Sequence, residues 1–253
     1  MRRTILLLAT VSLTLLVASG VALAVTEIGG PGPDTLRGTN GADNLLGEGG
    51  NDVLYALGGR DNLLLGGPGK DWVLGGNEHR AFGGNKNLLG GRGNDGVNGG
   101  IGSDTALGGS GDDYVLGDNG ADRVVGEEGR DLLFGGLGSD RVVGGEDGDW
   151  LVGSELRNAS TEILSGGDGG DILAVDNVPA TKDTVSCGSG FDRVIADRKD
   201  VIAPECEKVR VVHGSKAEVL EQEQVFYESI PAPVSEFFGT FFDRLAPDPT
   251  AGG

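Results

Sequence analysis

Seven aspartates, Asp95, Asp104, Asp113, Asp122, Asp131, Asp140 and Asp149, follow one another at steps of nine residues without a slip. An earlier run, Asp34, Asp43, Asp52 and Asp61, keeps the same step, and Asp71 follows after ten. Asp171, Asp183 and Asp192 come later, and Glu162 stands in the aspartate slot nine before Asp171. Rows of carboxylates held close together repel one another unless a cation lies between them. Several hard oxygens per site suit Ca2+ better than Mg2+, which demands a tighter octahedron and keeps its waters. Soft transition metals are disfavoured, since the 253-residue chain holds only two His and two Cys.

Positioning such a row requires a repeating backbone. Two residues after each acid stands an aliphatic, from Leu36, Leu45, Leu54 and Leu63 through Val115 and Val124 to Val194. Two residues before it stands glycine, with Asp147, Ser160 and Thr181 as exceptions. A flexible Gly/Ser linker does not hold three positions in phase over such a length. A segment such as Tyr114-Val115-Leu116 reads as a very short strand whose middle residue points one way and whose flanks point the other. The six residues around each Gly-x-Asp then form a turn, where glycine takes positive φ at no steric cost. Two such units make a coil of 18 residues, which sets Asp113 over Asp131 and Asp122 over Asp140. Stacked coils lie about 4.8 Å apart. The expected fold is therefore all-β, a parallel β-roll with a slim aliphatic core between two sheets, in which no coil is stable without neighbours.

The segments GGSGDDYVL (108–116), GGLGSDRVV (135–143), GGRGNDGVN (90–98) and GGPGKDWVL (66–74) resemble the glycine-rich nonapeptide of RTX proteins, the hemolysin-type calcium-binding repeats. The resemblance covers roughly residues 29–195. It implies a right-handed two-sheet roll with Ca2+ held between turns of neighbouring coils. Carried over by position, the side-chain ligands are Asp34, Asp43, Asp52, Asp61, Asp71, Asp95, Asp104, Asp113, Asp122, Asp131, Asp140, Asp149, Asp171 and Asp192. Glycine carbonyls of the same turns would complete each shell. The implied load is on the order of five to eight Ca2+ ions, each taking several oxygens.

Composition agrees with cations as partners. The net charge of −19 argues against nucleic acid and anionic lipid. Arg2 and Arg3, the apolar run Ile5 to Val17 and the ending Ala22-Leu23-Ala24 predict a secretory signal peptide over 1–24, with an uncleaved membrane anchor as the competing reading. The organisation expected beyond it is a roll over 25–195, a cap over 196–210 and a tail over 211–253. In an exported chain, Cys187 and Cys206 point to a disulfide that fastens the last coil. The cap segment also resembles the ends of secreted actinobacterial calcium-binding repeat proteins.

The repeat breaks at residues 75–89, where Arg80 and Asn87 stand where acids are expected. Two readings compete: a decayed pair of coils in which Arg80 supplies the missing positive charge, or a bulge marking a functional surface. In the tail, Phe237, Phe238, Phe241, Phe242 and Leu245 suggest a short amphipathic helix, either capping the roll or docking a partner. The chain shows no H-E-x-x-H, G-x-S-x-G or Walker motif, so a non-enzyme is expected. The outward third positions of the turns, from Pro31 to Leu137, form no Thr or Asn row, which removes an ice-binding reading. A secreted structural or adhesive calcium-binding protein, with a cell-surface or matrix component as partner, is the leading expectation. An accessory module for a hydrolase or toxin, or a hydrolase with an unrecognised site, is the alternative.

Overall fold

The computed structural model describes residues 24–76, 86–154, 160–175 and 180–211. The expected signal segment up to residue 23, Arg80, and the aromatic stretch at 234–245 lie outside them.

Strands alternate between two parallel sheets, each of ten strands among the described residues. Odd strands run from β1 (Thr26–Ile28) to β19 (Val201–Ile202) and even strands from β2 (Thr35–Arg37) to β20 (Lys208–Val211). The fold is the all-β parallel β-roll expected from the repeat. The register is a direct consequence of the 18-residue coil. In the even sheet, β10 (Tyr114–Asn119) lies between β8 (Gly96–Ile101) and β12 (Leu132–Leu137), with Val115 beside Val97 and Leu133. The central strands are six residues long rather than the three expected. The first residues of each turn keep pairing with the next coil, as Asp118 does with Gly136 and Asn119 with Leu137.

The core is a single file of aliphatics from each sheet: Leu45, Leu54, Val73, Val97, Val115, Val124, Leu133, Val142, Leu151 and Leu173 are all fully buried. One expected member is displaced. Leu63, two residues after Asp61, is only half-buried, and Leu64 faces inward in its place. In β5 (Leu63–Pro68), Leu64 stands beside Leu45, while the Asn62 amide already donates to the Asp43 carbonyl at 2.9 Å. A one-residue bulge at Asn62-Leu63 thus absorbs the ten-residue step to Asp71.

A second apolar cluster lies on the outer face of the even sheet. It contains Trp72, Tyr114 and Leu132, with Phe134 and Trp150 packed against them. The Tyr114 and Phe134 ring centroids are 5.6 Å apart. Cys187 and Cys206 form the expected disulfide, their Cα atoms 5.3 Å apart. Both sheets continue past it, β19 pairing with β17 (Thr184–Gly190) and β20 with β18 (Arg193–Ala196).

Candidate metal centre

The turn at 108–113 shows how the repeat positions its acid. Gly109 and Gly111 take φ of +122° and +129°, a region closed to most side chains. Between them the chain reverses and delivers Asp113 to the start of β10, with its side chain folded back into the turn. There its Oδ1 accepts the Asp95 amide at 2.7 Å, and its own amide donates to Asp131 Oδ1 at 2.8 Å. Each acid therefore clamps the coil before it.

These links join the acids into two rows. One contains Asp34, Asp52, Asp71, Asp95, Asp113, Asp131, Asp149, Asp171 and Asp192, and ends on Glu207. On the other side, Asp43 is joined to Asp61, while Asp104, Asp122, Asp140, Glu162, Asp183 and Asp200 follow after a gap. The structure thus brings every acid named from the sequence into a row. Glu162 and Asp183, which share the spacing but were left out of the expected ligand set, stand in the same rows. Asp200 and Glu207 were missed altogether, although each has an aliphatic two residues on, Ile202 and Val209.

The gap is filled by Lys86. Its amide donates to Asp104 Oδ1 at 2.9 Å, the bond an acid's amide makes elsewhere. The expectation that Arg80 and Asn87 hold the acid slots is corrected for Asn87: it stands one residue later and opens β7 (Asn87–Arg92), with its side chain exposed. The inward Leu88, two residues after Lys86, was the signal that would have found the slot.

Where Oδ1 is used as a clamp, Oδ2 is left over. From Asp52 to Asp149, and again at Asp171 and Asp192, Oδ2 is buried and has no hydrogen-bond partner. Glycine shapes the space around it. A Cβ on Gly66 would lie 2.6 Å from both Asp71 Oδ2 and the Gly90 carbonyl oxygen, and the same holds at Gly90 for Asp95 Oδ2 and the Gly108 carbonyl, at 2.7 and 2.6 Å. A carboxylate oxygen and a carbonyl oxygen of the next coil therefore approach the same side of one turn. Hard oxygens of these two kinds fit Ca2+. Among the described residues no group of three or more Asp, Glu, His or Cys gathers at one point, so carbonyls must supply part of any shell.

Burial acts strongly on these carboxyls. It pushes Asp113 and Asp149 up to about 9, with the neighbouring acids raising them further and the clamping amide opposing. Asp122 and Glu162 rise to about 8, and Asp95, Asp104 and Asp131 to about 7, again chiefly through burial. Without a cation, the rows favour protons over charge.

The acids at the two ends of the rows differ. Asp34 Oδ2 accepts the Gly30 amide at 2.6 Å, and Asp43 Oδ2 accepts the Thr39 amide at 2.6 Å. Glu162 Oε1 accepts the Ser160 hydroxyl at 2.6 Å, and Asp183 accepts Thr181 Oγ1 at 3.3 Å. Asp200 Oδ2 accepts the Asp197 amide at 2.7 Å.

A family model described as "RTX calcium-binding nonapeptide repeat (4 copies)" matches residues 28–63, 81–115 and 116–151. No curated protein matches the chain.

Proposed function

The chain carries RTX calcium-binding nonapeptide repeats, and on that premise we propose that it is a secreted, non-catalytic structural or adhesive protein whose roll folds on Ca2+. Repeats of this family bind Ca2+. The observation that carries the reading is the file of buried Oδ2 atoms without partners, from Asp52 to Asp149 and at Asp171 and Asp192, all but those of Asp61 and Asp192 lying against a turn glycine. These acids, with turn carbonyls, would hold the metal. Bound there, Ca2+ supplies the positive charge that lets the acid rows stay ionised inside a folded roll. The chain's own contribution is to present one carboxylate oxygen per turn while the other fixes the coil spacing.

Folding and export follow from the same balance. A ligand that binds only the folded state stabilises it in proportion to the logarithm of its concentration. At low Ca2+ inside a cell, the charge of −19 and the thin core leave the chain unfolded and transportable. Outside, Ca2+ drives the coils together. The Arg2-Arg3 start, apolar run and Ala22-Leu23-Ala24 site support a cleaved signal peptide. Among the described residues no helix is long and apolar enough to cross a membrane.

An adhesive role draws on the outer face of the even sheet. Trp72, Tyr114, Phe134 and Trp150 form an aromatic stripe there that the inner core does not use. Aromatic side chains dominate binding surfaces for their size. The deciding experiment is far-UV circular dichroism of the protein during a Ca2+ titration, with Mg2+ as control. A cooperative coil-to-strand transition with Ca2+ alone is expected. Complete strand content in chelator would overturn the reading. Pull-down of cell-wall and matrix fractions with and without Ca2+ then separates adhesion from buffering.

A further inference from the structure

Lys86 is 3% exposed and stands on the backbone where its row otherwise carries acids. Its carbonyl accepts the Thr105 amide at 2.9 Å and its amide donates to Asp104 Oδ1, the pair of bonds that Asp95 makes with Tyr114 and Asp113. Leu88 is fully buried in the core, so the half-coil is in phase and the lysine is held inside the turn. An isolated buried ammonium is costly. This one donates to the Ile101 carbonyl at 3.2 Å, in the turn that leads to Asp104. Along the row, Asp61, Lys86 and Asp104 alternate in charge as minus, plus, minus. The ammonium pulls the Asp61 and Asp104 carboxyls down against the upward push of burial.

We propose that Lys86 is a built-in counter-ion, its ammonium doing in this half-coil what Ca2+ does in the others. The inference rests on the calcium reading above. A lysine head differs from the metal in three ways that matter here. It carries a single charge, it brings donors and no acceptors, and it cannot be removed by a chelator. It occupies the turn carbonyl of Ile101, so this half-coil takes no metal and the calcium row on its side is divided in two. The seam of β5, β7 and β9 (Thr105–Ser110) then stays assembled when Ca2+ is withdrawn. In a solenoid, where each coil is stabilised by its neighbours, such a seam is a template from which folding spreads as Ca2+ rises.

The test is a count of bound Ca2+ per chain at saturation, by equilibrium dialysis with elemental analysis. It is combined with hydrogen exchange of the Asn87–Arg92 amides in chelator, for wild type, Lys86→Asp and Lys86→Met. Lys86→Asp is expected to bind additional Ca2+. Lys86→Met is expected to keep the wild-type count but to lose, in chelator, the protection that wild type retains over Asn87–Arg92. A folded Lys86→Asp with the wild-type count overturns the proposal, as does a Lys86→Met protected as well as wild type in chelator. If Lys86→Asp does not fold at saturating Ca2+, the Lys86→Met comparison decides alone. Wild type that binds no Ca2+ at all overturns the calcium reading, and this inference with it.

Discussion

The turns around Asp113 and Glu162 lie in neighbouring parts of one roll, yet they treat the same carboxylate slot in different ways. At Asp113 the residue two before the acid is Gly111, and Oδ2 is buried without a partner. At Glu162 that residue is Ser160, whose hydroxyl takes the second carboxylate oxygen at 2.6 Å. The Thr181 hydroxyl reaches both carboxylate oxygens of Asp183, at 3.3 and 3.4 Å, and the Asp197 amide takes the second oxygen of Asp200. A turn that offers no further donor leaves an oxygen over, and a hydroxyl or a spare amide uses it up. The two kinds of turn keep the same clamp on the previous coil, so the difference concerns the cation and not the fold. Central turns are built to be completed from solution, while several turns toward the C-terminal end complete themselves.

The largest effect should appear when Ca2+ is removed. Hydrogen exchange in chelator should show the central strands beyond the Lys86 seam, from Tyr114–Asn119 to Arg141–Glu146, losing protection by orders of magnitude. The C-terminal strands, from Thr184–Gly190 onward, should lose less, held by their own hydroxyls and by the Cys187–Cys206 bridge. Uniform loss along the roll would erase the distinction between the two kinds of turn.

Acid should substitute for Ca2+. A carboxyl whose ordinary value is 3.8 and which rises to between about 6 and about 9 in the roll, as Asp71, Asp122 and Asp113 do, takes up protons as the coils form. The folded state then binds more protons than the unfolded one, and stability falls as pH rises. That contribution is complete below about pH 4 and is lost as pH climbs through the folded values. In chelator, strand content followed by circular dichroism should therefore be higher at pH 5 than at pH 9, pH points chosen on either side of the raised values. With Ca2+ present the dependence should reverse, since protons compete for the same oxygens. A flat profile in chelator would mean that the carboxyls stay ionised without metal.

A third comparison uses single substitutions. Asp113→Asn keeps an oxygen for the Asp95 amide but removes the charge. It should raise the Ca2+ concentration at the folding midpoint several-fold while making the roll more resistant to unfolding in chelator. Glu162→Gln should move the Ca2+ midpoint much less. Equal shifts for the two variants would show that the hydroxyl at Ser160 does not replace metal. The smallest effect is expected from Ser160→Ala, which strands the buried Glu162 oxygen at a cost of about 1–3 kcal/mol, read as a lower unfolding midpoint in urea at saturating Ca2+.

Much of this was legible in the residues. The acid, the aliphatic two residues on and the glycine two residues before are local features, and a strand of alternating faces turns them directly into row, core and turn. Expectation failed where the step changed. Leu63 was expected inside because it follows Asp61 by two, but the bulge at Asn62-Leu63 hands the core position to Leu64. Counting from the acids alone placed the broken repeat on Arg80 and Asn87. Reading backwards from the inward leucine would have placed it on Lys86, because there the core position is kept although the acid is gone.

By itself, then, the sequence determined the period, the two-sheet roll, the inward file and the chemical character of the acid rows, since each is written into every nine residues. Only the tertiary structure decided which acids are neighbours. The steps between clamped partners run from 15 residues, Asp192 to Glu207, to 24, Asp71 to Asp95. Stacked strands must align their amides and carbonyls across the coil, whereas extra residues can loop out wherever a turn meets solvent. It also decided which carboxylate oxygens remain over for a cation, since that depends on the hydroxyl, amide or ammonium that the coil places beside each one.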